Sequence, residues 1–459
     1  MTTPATVLGR RRLSRLRSHT DREQVGQKMG CSSATQTPVA SARTSSNRAG
    51  GYDSGLPKRH PERSGMRHPL TVERQKAVLD GLTSICGRRP VIVDAQQVGH
   101  DWAPVTRLVF DRDLSGLGTD PAEGPARTVI VKTRRVDGEG HGGPAYLRRE
   151  AAGLRTAVLS DVAARLILTN DQAGVVVQSD LGTWPTLETV LLGNDPERAA
   201  TAMVNFAQTI GRLHATTLDR RIEHDLALAE FGSADVTTGE GAGTGGTRRW
   251  HVVEQACAEL GFPDARTARD DIAFVRSQLD APGQYAALVH NDLNPTNALV
   301  TDRGIRLVDF EGSGFGHIGF DASFLHYPFP HHSANWSVLP EPITQAADRA
   351  YRNTLATSLA ADDLHGYDKM LAVGAAAALA SRVTRLPVIA RTDQTPHDSW
   401  RRRAQLVQQI GVLNRLTDRA GTLPDLARWF CELADAMTER WTDATKPPPR
   451  LFPAFADHD

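Results

Sequence analysis

The sequence predicts an α+β fold of two lobes: a small β-rich lobe over residues 67–180, then a larger, mostly helical lobe over 181–459. Three observations carry this expectation. Between residues 90 and 182 the apolar residues come in short Val- and Ile-rich runs, at 90–93, 105–110, 128–132 and 175–182, which suit strands. From residue 199 they recur at helical spacing, with Met203, Phe206, Ala207, Ile210, Leu213 and His214 on one face. Between these regimes, residues 286–309 read as strand, polar loop and hairpin, a pattern dense in chemically active side chains.

Taken in order, the first 67 residues hold thirteen Lys or Arg against four acids and no periodic apolar pattern. Such a segment cannot bury enough surface to order itself. Residues 1–66 are therefore expected to be a disordered basic extension or an overlong gene start, with translation beginning at Met66. A transit peptide has similar composition, but 47 arginines against six lysines suggest a high-GC bacterial source. Residues 72–85 suit a first helix. The loop 96–103 lies between two strands and holds one glycine, Gly99, so a nucleotide-covering hairpin is placed there without a Gly-x-Gly-x-x-Gly pattern. Lys132 ends the run Thr128-Val129-Ile130-Val131, and it is the one lysine between Lys76 and Lys369. In residues 145–157, Leu147, Ala151 and Leu154 mark an apolar helical stripe from which Glu150 projects. A buried carboxylate needs a partner; Lys132 fits, and an exposed stripe edge is the other reading. Residues 232–247 form a Gly/Thr-rich insertion, an inert loop or a lid. Several amphipathic patterns over 341–441 predict further helices. The apolar run 371–380 is too short to cross a bilayer and reads as a core helix.

The stretch from Val289 to Glu311 says most about chemistry. Residues 286–289 suit a buried strand, followed by a loop with His290, Asp292 and Asn297. A turn at Asp302-Arg303-Gly304 returns the chain along 305–308, which delivers Asp309. Phosphoryl transfer needs Mg²⁺ on the nucleotide phosphates, held by carboxylate, amide or water oxygens. It also needs a carboxylate beside the acceptor hydroxyl. An acid, an asparagine five positions on and a second acid on the next hairpin arm meet both needs. A polar hairpin with capping residues is the bland alternative.

HxDxxxxN, a following strand and Asp-Phe-Glu resemble the aminoglycoside phosphotransferase and choline kinase family, small-molecule kinases with a protein-kinase-like fold. REAAGLRTAV and GRLHATT also resemble family helices. The resemblance implies Asp292 as catalytic base, His290 as a brace of its loop, and Asn297 and Asp309 as Mg²⁺ ligands. It implies ATP or GTP as phosphoryl donor, with Lys132, paired to Glu150, on the phosphates. The base would meet backbone groups near Gln178 and Ser179. Asp321 resembles the acid that buttresses the catalytic loop; a helix N-cap is the alternative. His214 reads as a hydrogen-bonded core histidine.

The resemblance implies a small hydroxylated acceptor. Asp321 follows Glu311 by ten positions with no Ala-Pro-Glu, which leaves no room for a peptide-binding activation segment. Phosphorylation of a peptide Ser or Thr in a natural-product pathway, or a nucleotide-binding scaffold, are the competing readings. Formal net charge is zero, so no global field favours nucleic acid or membrane. Cys31, Cys86, Cys257 and Cys431 are widely spaced, which suits reduced thiols in the cytoplasm. His326, His331 and His332 lack accompanying ligands for a metal site. Oligomeric state has no signature in the sequence.

Overall fold

The computed structural model describes residues 70–98, 105–114, 117, 126–133, 144–231, 246–327, 337–391, 399–445 and 451–456. The basic extension, most of the insertion 232–247, the tip of the loop 96–103, His331 and His332 lie outside them. The fold is α+β, with a small antiparallel sheet at the N-terminal side and a helical remainder.

Helix α1 (Val72–Cys86) begins at Thr71, whose hydroxyl accepts from the Arg74 amide. The sheet contains β1 (Ile92–Gln97), β2 (Val105–Phe110), β3 (Thr128–Thr133), β4 (Leu166–Asn170) and β5 (Val175–Ser179), in the order β1-β2-β3-β5-β4. Strand alternation sorts the side chains. Leu108, Val129, Val131 and Val177 pack with Val78 and Leu82 of α1. Ile130 and Lys132 point to the opposite face, as the two-residue period requires. Close approach of α1 is possible because Gly81 has no Cβ to strike Leu168. Helix α2 (Pro144–Ala157) covers that opposite face.

Arg107 ties the sheet to the chain that leaves β5. Its guanidinium donates to both Asp180 carboxylate oxygens at 2.6 and 3.0 Å, and to the Gly182 carbonyl and Thr183 hydroxyl at 3.0 Å. Beyond come α3 (Leu187–Leu191), α4 (Pro196–Thr217), α5 (Arg221–Glu230), α6 (Gly246–Glu259) and α7 (Arg269–Asp280). Two small antiparallel ladders follow. Strand β6 (Ala286–Val289) pairs with β9 (Gly314–His317), and β7 (Ala298–Thr301) with β8 (Gly304–Leu307). The turn at Gly304, with φ 101°, closes the second ladder in a conformation glycine adopts at little cost.

A short helix α8 (Gly319–Ala322) precedes α9 (Glu341–Leu355), α10 (Ala361–His365), α11 (Tyr367–Val383), α12 (Leu386–Arg391), α13 (Ser399–Ala420) and α14 (Pro424–Arg440). Helix α11 is buried from Met370 through Ala380, as its apolar run predicted. It crosses α8 closely enough that a Cβ at Gly374 would overlap the Gly319 backbone. Among the described residues, no helix is long and apolar enough to cross a membrane. His326, weighed as a metal ligand, instead meets Asp348 at 2.9 Å.

Two buried histidines give the fold a pH dependence. Burial pushes the His224 imidazole down to about 4 despite the neighbouring Asp225. Burial does the same to His317, helped by His214. The unfolded chain takes up protons below the ordinary histidine value of 6.5 that the folded chain refuses until about pH 4. Stability from these groups is therefore complete above 6.5 and lost as pH falls through that window. Melting temperature should drop between those limits, and His224→Gln should make the drop shallower. Equal slopes in variant and wild type would clear His224 of the effect.

Candidate active site

The site forms where β3, α2 and the two ladders meet. Lys132 pairs in register with Val105 on one side and Val176 on the other, which fixes its backbone in mid-sheet. Its Nζ lies 2.8 Å from Glu150 Oε1 and 2.7 Å from Asp309 Oδ1. Only the Asp309 contact has hydrogen-bond geometry; both Glu150 oxygens are buried without a hydrogen-bond partner. Burial alone would lower the Lys132 pKa, but Asp309 and Glu150 together hold it above the ordinary lysine range. Burial likewise pushes the Glu150 carboxyl up, against the pull of Lys132. For Asp309 the ammonium overcomes burial and keeps the carboxyl below its usual value. Lys132 thus leans on Asp309 and leaves Glu150 the less satisfied partner.

Asp309 follows β8 with φ 71° and ψ 59°, a left-handed conformation uncommon for a non-glycine residue. The strain is held in place from both sides. The Val308 amide donates to the Asn297 carbonyl at 3.0 Å, and Phe310 is buried against the His290 ring with centroids 4.6 Å apart.

The loop after β6 is organised by a buried carboxylate. Asp321 Oδ2 accepts from the His290 amide at 2.6 Å, and Oδ1 from the Asn291 amide at 3.0 Å. His214 Nε2 lies 3.3 Å from Oδ2, and its Nδ1 lies 2.8 Å from the Tyr351 hydroxyl. Asp321 is thus a support of the loop, and Ile318 occupies the N-cap position of α8. His214 sits in the core, hydrogen-bonded at both nitrogens. His290 accepts from the Asp292 amide at Nδ1, 3.3 Å, and its Nε2 meets the Val308 carbonyl at 3.0 Å. Asn291, with φ 66°, donates from its side chain to the Gly312 carbonyl. The loop and the Asp309 segment are therefore one hydrogen-bonded body.

Asp292 accepts at Oδ1 from Asn294 and at Oδ2 from Asn297 Nδ2, 3.0 Å; the latter nitrogen also donates to the Asp292 carbonyl at 2.9 Å. Burial raises the Asp292 carboxyl above its usual range, with Asp309 repelling and His290 and Arg382 opposing. Because Asn297 spends its nitrogen on Asp292, its Oδ1 is the atom left to meet a cation. Sequence reasoning misses Glu311. Burial, and next the Asp309 charge, push its carboxyl up to about 7. It lies in electrostatic contact with Asp309, Lys132, Glu150 and Asp292 and makes a fourth acid in the site. Its place in Asp-Phe-Glu is the available signal. Asn291 and Asn294 are missed as well, and nothing in their spacing marks them.

Gln178 and Ser179 lie inside the sheet. Gln178 is flanked by Ile130 and Leu166, and Ser179 donates its amide to the Arg165 carbonyl at 2.9 Å. The Ser179 hydroxyl accepts from the Arg165 amide. The Ser179 amide is thus committed to β-structure, while its hydroxyl keeps its own proton to donate. The loop 96–103 is described through Val98, whose amide donates to the Val105 carbonyl.

Glu150 is placed by packing as well as charge. A Cβ at Gly153 would overlap Ser313 Oγ, so α2 lies directly on the Phe310–Gly312 segment. Arg149 Nε donates to the Glu311 carbonyl at 3.0 Å, and Ser313 Oγ to the Arg149 carbonyl at 3.3 Å.

Residues 145–355 match the model of the phosphotransferase enzyme family. The family resemblance read from HxDxxxxN and Asp-Phe-Glu is thereby borne out. No curated protein matches the sequence. Solved structures similar to the chain include a choline/ethanolamine kinase family protein from Mesorhizobium loti (16% identity, TM-score 0.41, covering 78% of this chain and 99% of that one). Another is choline kinase LicA from Streptococcus pneumoniae (12%, 0.37, 74% and 99%). A third is ADP-bound aminoglycoside phosphotransferase APH(2'')-Ib (12%, 0.40, 79% and 99%). Likeness at this level says nothing of substrate.

The buried Lys132–Glu150 pair, with half-buried Asp309 beside it, should be costly to break. Lys132→Met leaves Glu150 and Asp309 facing each other without a counter-charge, a loss on the order of 3–5 kcal/mol for such pairs. Urea unfolding should show a large loss, and the double variant Lys132→Met/Glu150→Leu should recover part of it. A single variant as stable as wild type would mean the ammonium contributes nothing to holding the site.

Proposed function

We propose that the chain is a Mg²⁺- and ATP- or GTP-dependent kinase that moves the γ-phosphoryl group to a hydroxyl of a small molecule. One observation carries the reading. Lys132, Glu150, Asp292, Asn297 and Asp309 are separated by up to 177 positions, yet form one connected cluster of ion pairs, hydrogen bonds and electrostatic contacts. The family match of residues 145–355 supports the same class of chemistry.

Asp292 is the base: two asparagine amides hold its carboxylate in place, and burial raises its proton affinity toward the range useful for taking a hydroxyl proton. His290 and Asp321 position it through the loop backbone. Asp309 and Asn297 Oδ1 supply hard oxygen donors, with Glu311 adjacent, a set that fits Mg²⁺. The metal would neutralise phosphate charge and align the group being transferred. Lys132 is the cation for the phosphates, positioned by Glu150. The base of the nucleotide falls to backbone groups beyond β5. A cytoplasmic setting, where nucleotide and Mg²⁺ are plentiful, belongs to the same proposal.

A small acceptor is favoured by the path of the chain after Glu311. Strand β9 starts at Gly314 and pairs at once with β6, and α8 begins at Gly319. The chain thus returns to the core where a peptide-binding segment would have to emerge. Asp292→Asn keeps the shape and removes the base. Its turnover should fall roughly 10²–10⁴-fold while nucleotide binding persists. Asp309→Asn should instead weaken Mg²⁺-dependent nucleotide binding. Wild-type turnover in Asp292→Asn would end the assignment of the base.

A further inference from the structure

The face of the sheet that carries Lys132 continues beyond it as a mixed polar and apolar strip. Strand register sets Val105, Lys132 and Val176 side by side, and the next row on the same face is Arg107, Ile130 and Gln178. The two rows are one strand repeat apart, about 7 Å. Helix α2 packs over the β4 and β5 side of this face, and Arg107 stands toward its β2 side. Ile130 is buried yet packs into neither of the two hydrophobic cores. Gln178 is buried too, and its Oε1 has no hydrogen-bond partner. An apolar side chain outside the cores, with an orphaned acceptor beside it, marks a place for a ligand.

Arg107 ends this row in a fixed plane. Its Nε and Nη2 fork onto the two Asp180 oxygens, Nη2 also reaches the Gly182 carbonyl, and Nη1 reaches the Thr183 hydroxyl. Four of the five guanidinium N–H groups are thereby held, all of them pointing outward in the plane of the group. Its flat faces take no part in these contacts. The Asp180 side chain is 6% exposed against 17% for Arg107, so the surface left open belongs to the cation. A guanidinium gripped along its edge by a carboxylate is a preformed platform for a flat π-system.

Phosphates on Lys132 leave the base of a nucleotide to lie along the strands, and the Arg107 row is the surface the sheet offers it. The grip on Arg107 comes from residues 180–183, the stretch to which the kinase reading gives the edge of the base. Resting on that reading, we propose that the Arg107 guanidinium, locked by Asp180, stacks on the face of the nucleotide base. Adenine and guanine share that face, so the contact binds purine nucleotides without choosing between them. Both also carry an exocyclic amine, the donor that Gln178 Oε1 lacks.

Calorimetry on the full chain with Mg²⁺ compares ATP, GTP and inorganic tripolyphosphate, which has the charge but no base. Arg107→Met keeps the stem and removes the plane. It should weaken ATP and GTP alike by roughly 3–30-fold, the range of one cation–π contact, and leave tripolyphosphate unchanged. Arg107→Lys should restore little of the loss, because an ammonium offers no plane to stack on. The double variant Arg107→Met/Asp180→Asn leaves no lone buried carboxylate and should show the same selective loss, which keeps the test open if the single variant misfolds. A loss shared by tripolyphosphate would make the effect one of charge and overturn the proposal, as would full recovery in Arg107→Lys. Unchanged ATP and GTP affinity in the folded variants also overturns it, and so does a loss confined to one of the two purines. In each of those cases nucleotide still binds the wild type, and the kinase reading stands. If the wild type binds neither nucleotide, that reading fails and takes this inference with it.

Discussion

A single ammonium shared between two carboxylates is the constraint on which the rest of this structure depends. Lys132 comes from the sheet, Glu150 from α2 and Asp309 from the end of β8, so one charge cluster joins three elements distant in sequence. Lys132 and Glu150 are buried deeply enough that neither can be left alone, Asp309 is half-buried beside them, and the sheet, helix and hairpin meet so as to satisfy them. The sharing is unequal. The good hydrogen bond goes to Asp309, and Glu150 keeps two buried oxygens without one. A cation arriving at Asp309 would compete for the oxygen that Lys132 now holds, and the ammonium could then settle on Glu150 and a phosphate. Under the proposed function, Glu150 would be the reserve partner for that exchange.

The second level of organisation is a chain of supports behind the reactive loop. Tyr351 holds His214, His214 meets Asp321, and Asp321 accepts two consecutive amides of the loop. Every link is buried, in a medium where an unmade hydrogen bond is expensive. The left-handed residues Asn291 and Asp309 are tolerable for the same reason, since their surroundings fix the backbone on both sides. The loop is therefore rigid where it bears Asp292 and Asn297.

Much of this was legible in the chain. The β-branched run ending at Lys132 and the apolar stripe around Glu150 each pointed to a buried charge, and the two partners emerged together. The turn at Asp302-Arg303-Gly304 fixed the hairpin that carries Asp309. What escaped was set by tertiary contacts with no local pattern. Glu311 is unusual only because Asp309 and buried surroundings act on it. Asn294 and Asn291 look like ordinary loop residues until the backbone folds them inward. Asp321 was ambiguous because a carboxylate near a helix start serves equally well as a cap, and only the position of the His290 and Asn291 amides decides between the two. At the end of β5, side-chain identity was uninformative because a nucleotide base pairing there would meet backbone groups, whatever side chains they carry.

The bare glycine at position 153 has a consequence for control. By letting α2 lie flush on the segment that begins at Phe310, and with Arg149 and Ser313 clasping across the seam, it welds the helix bearing Glu150 to the strand end bearing Asp309. In kinases that are switched on and off, displacement of the corresponding helix breaks the lysine–glutamate pair. Here that displacement would have to tear open a close-packed joint. On the proposed kinase reading, the Lys132–Glu150 pair would stay assembled without a separate activating step, and turnover would follow the supply of the two substrates.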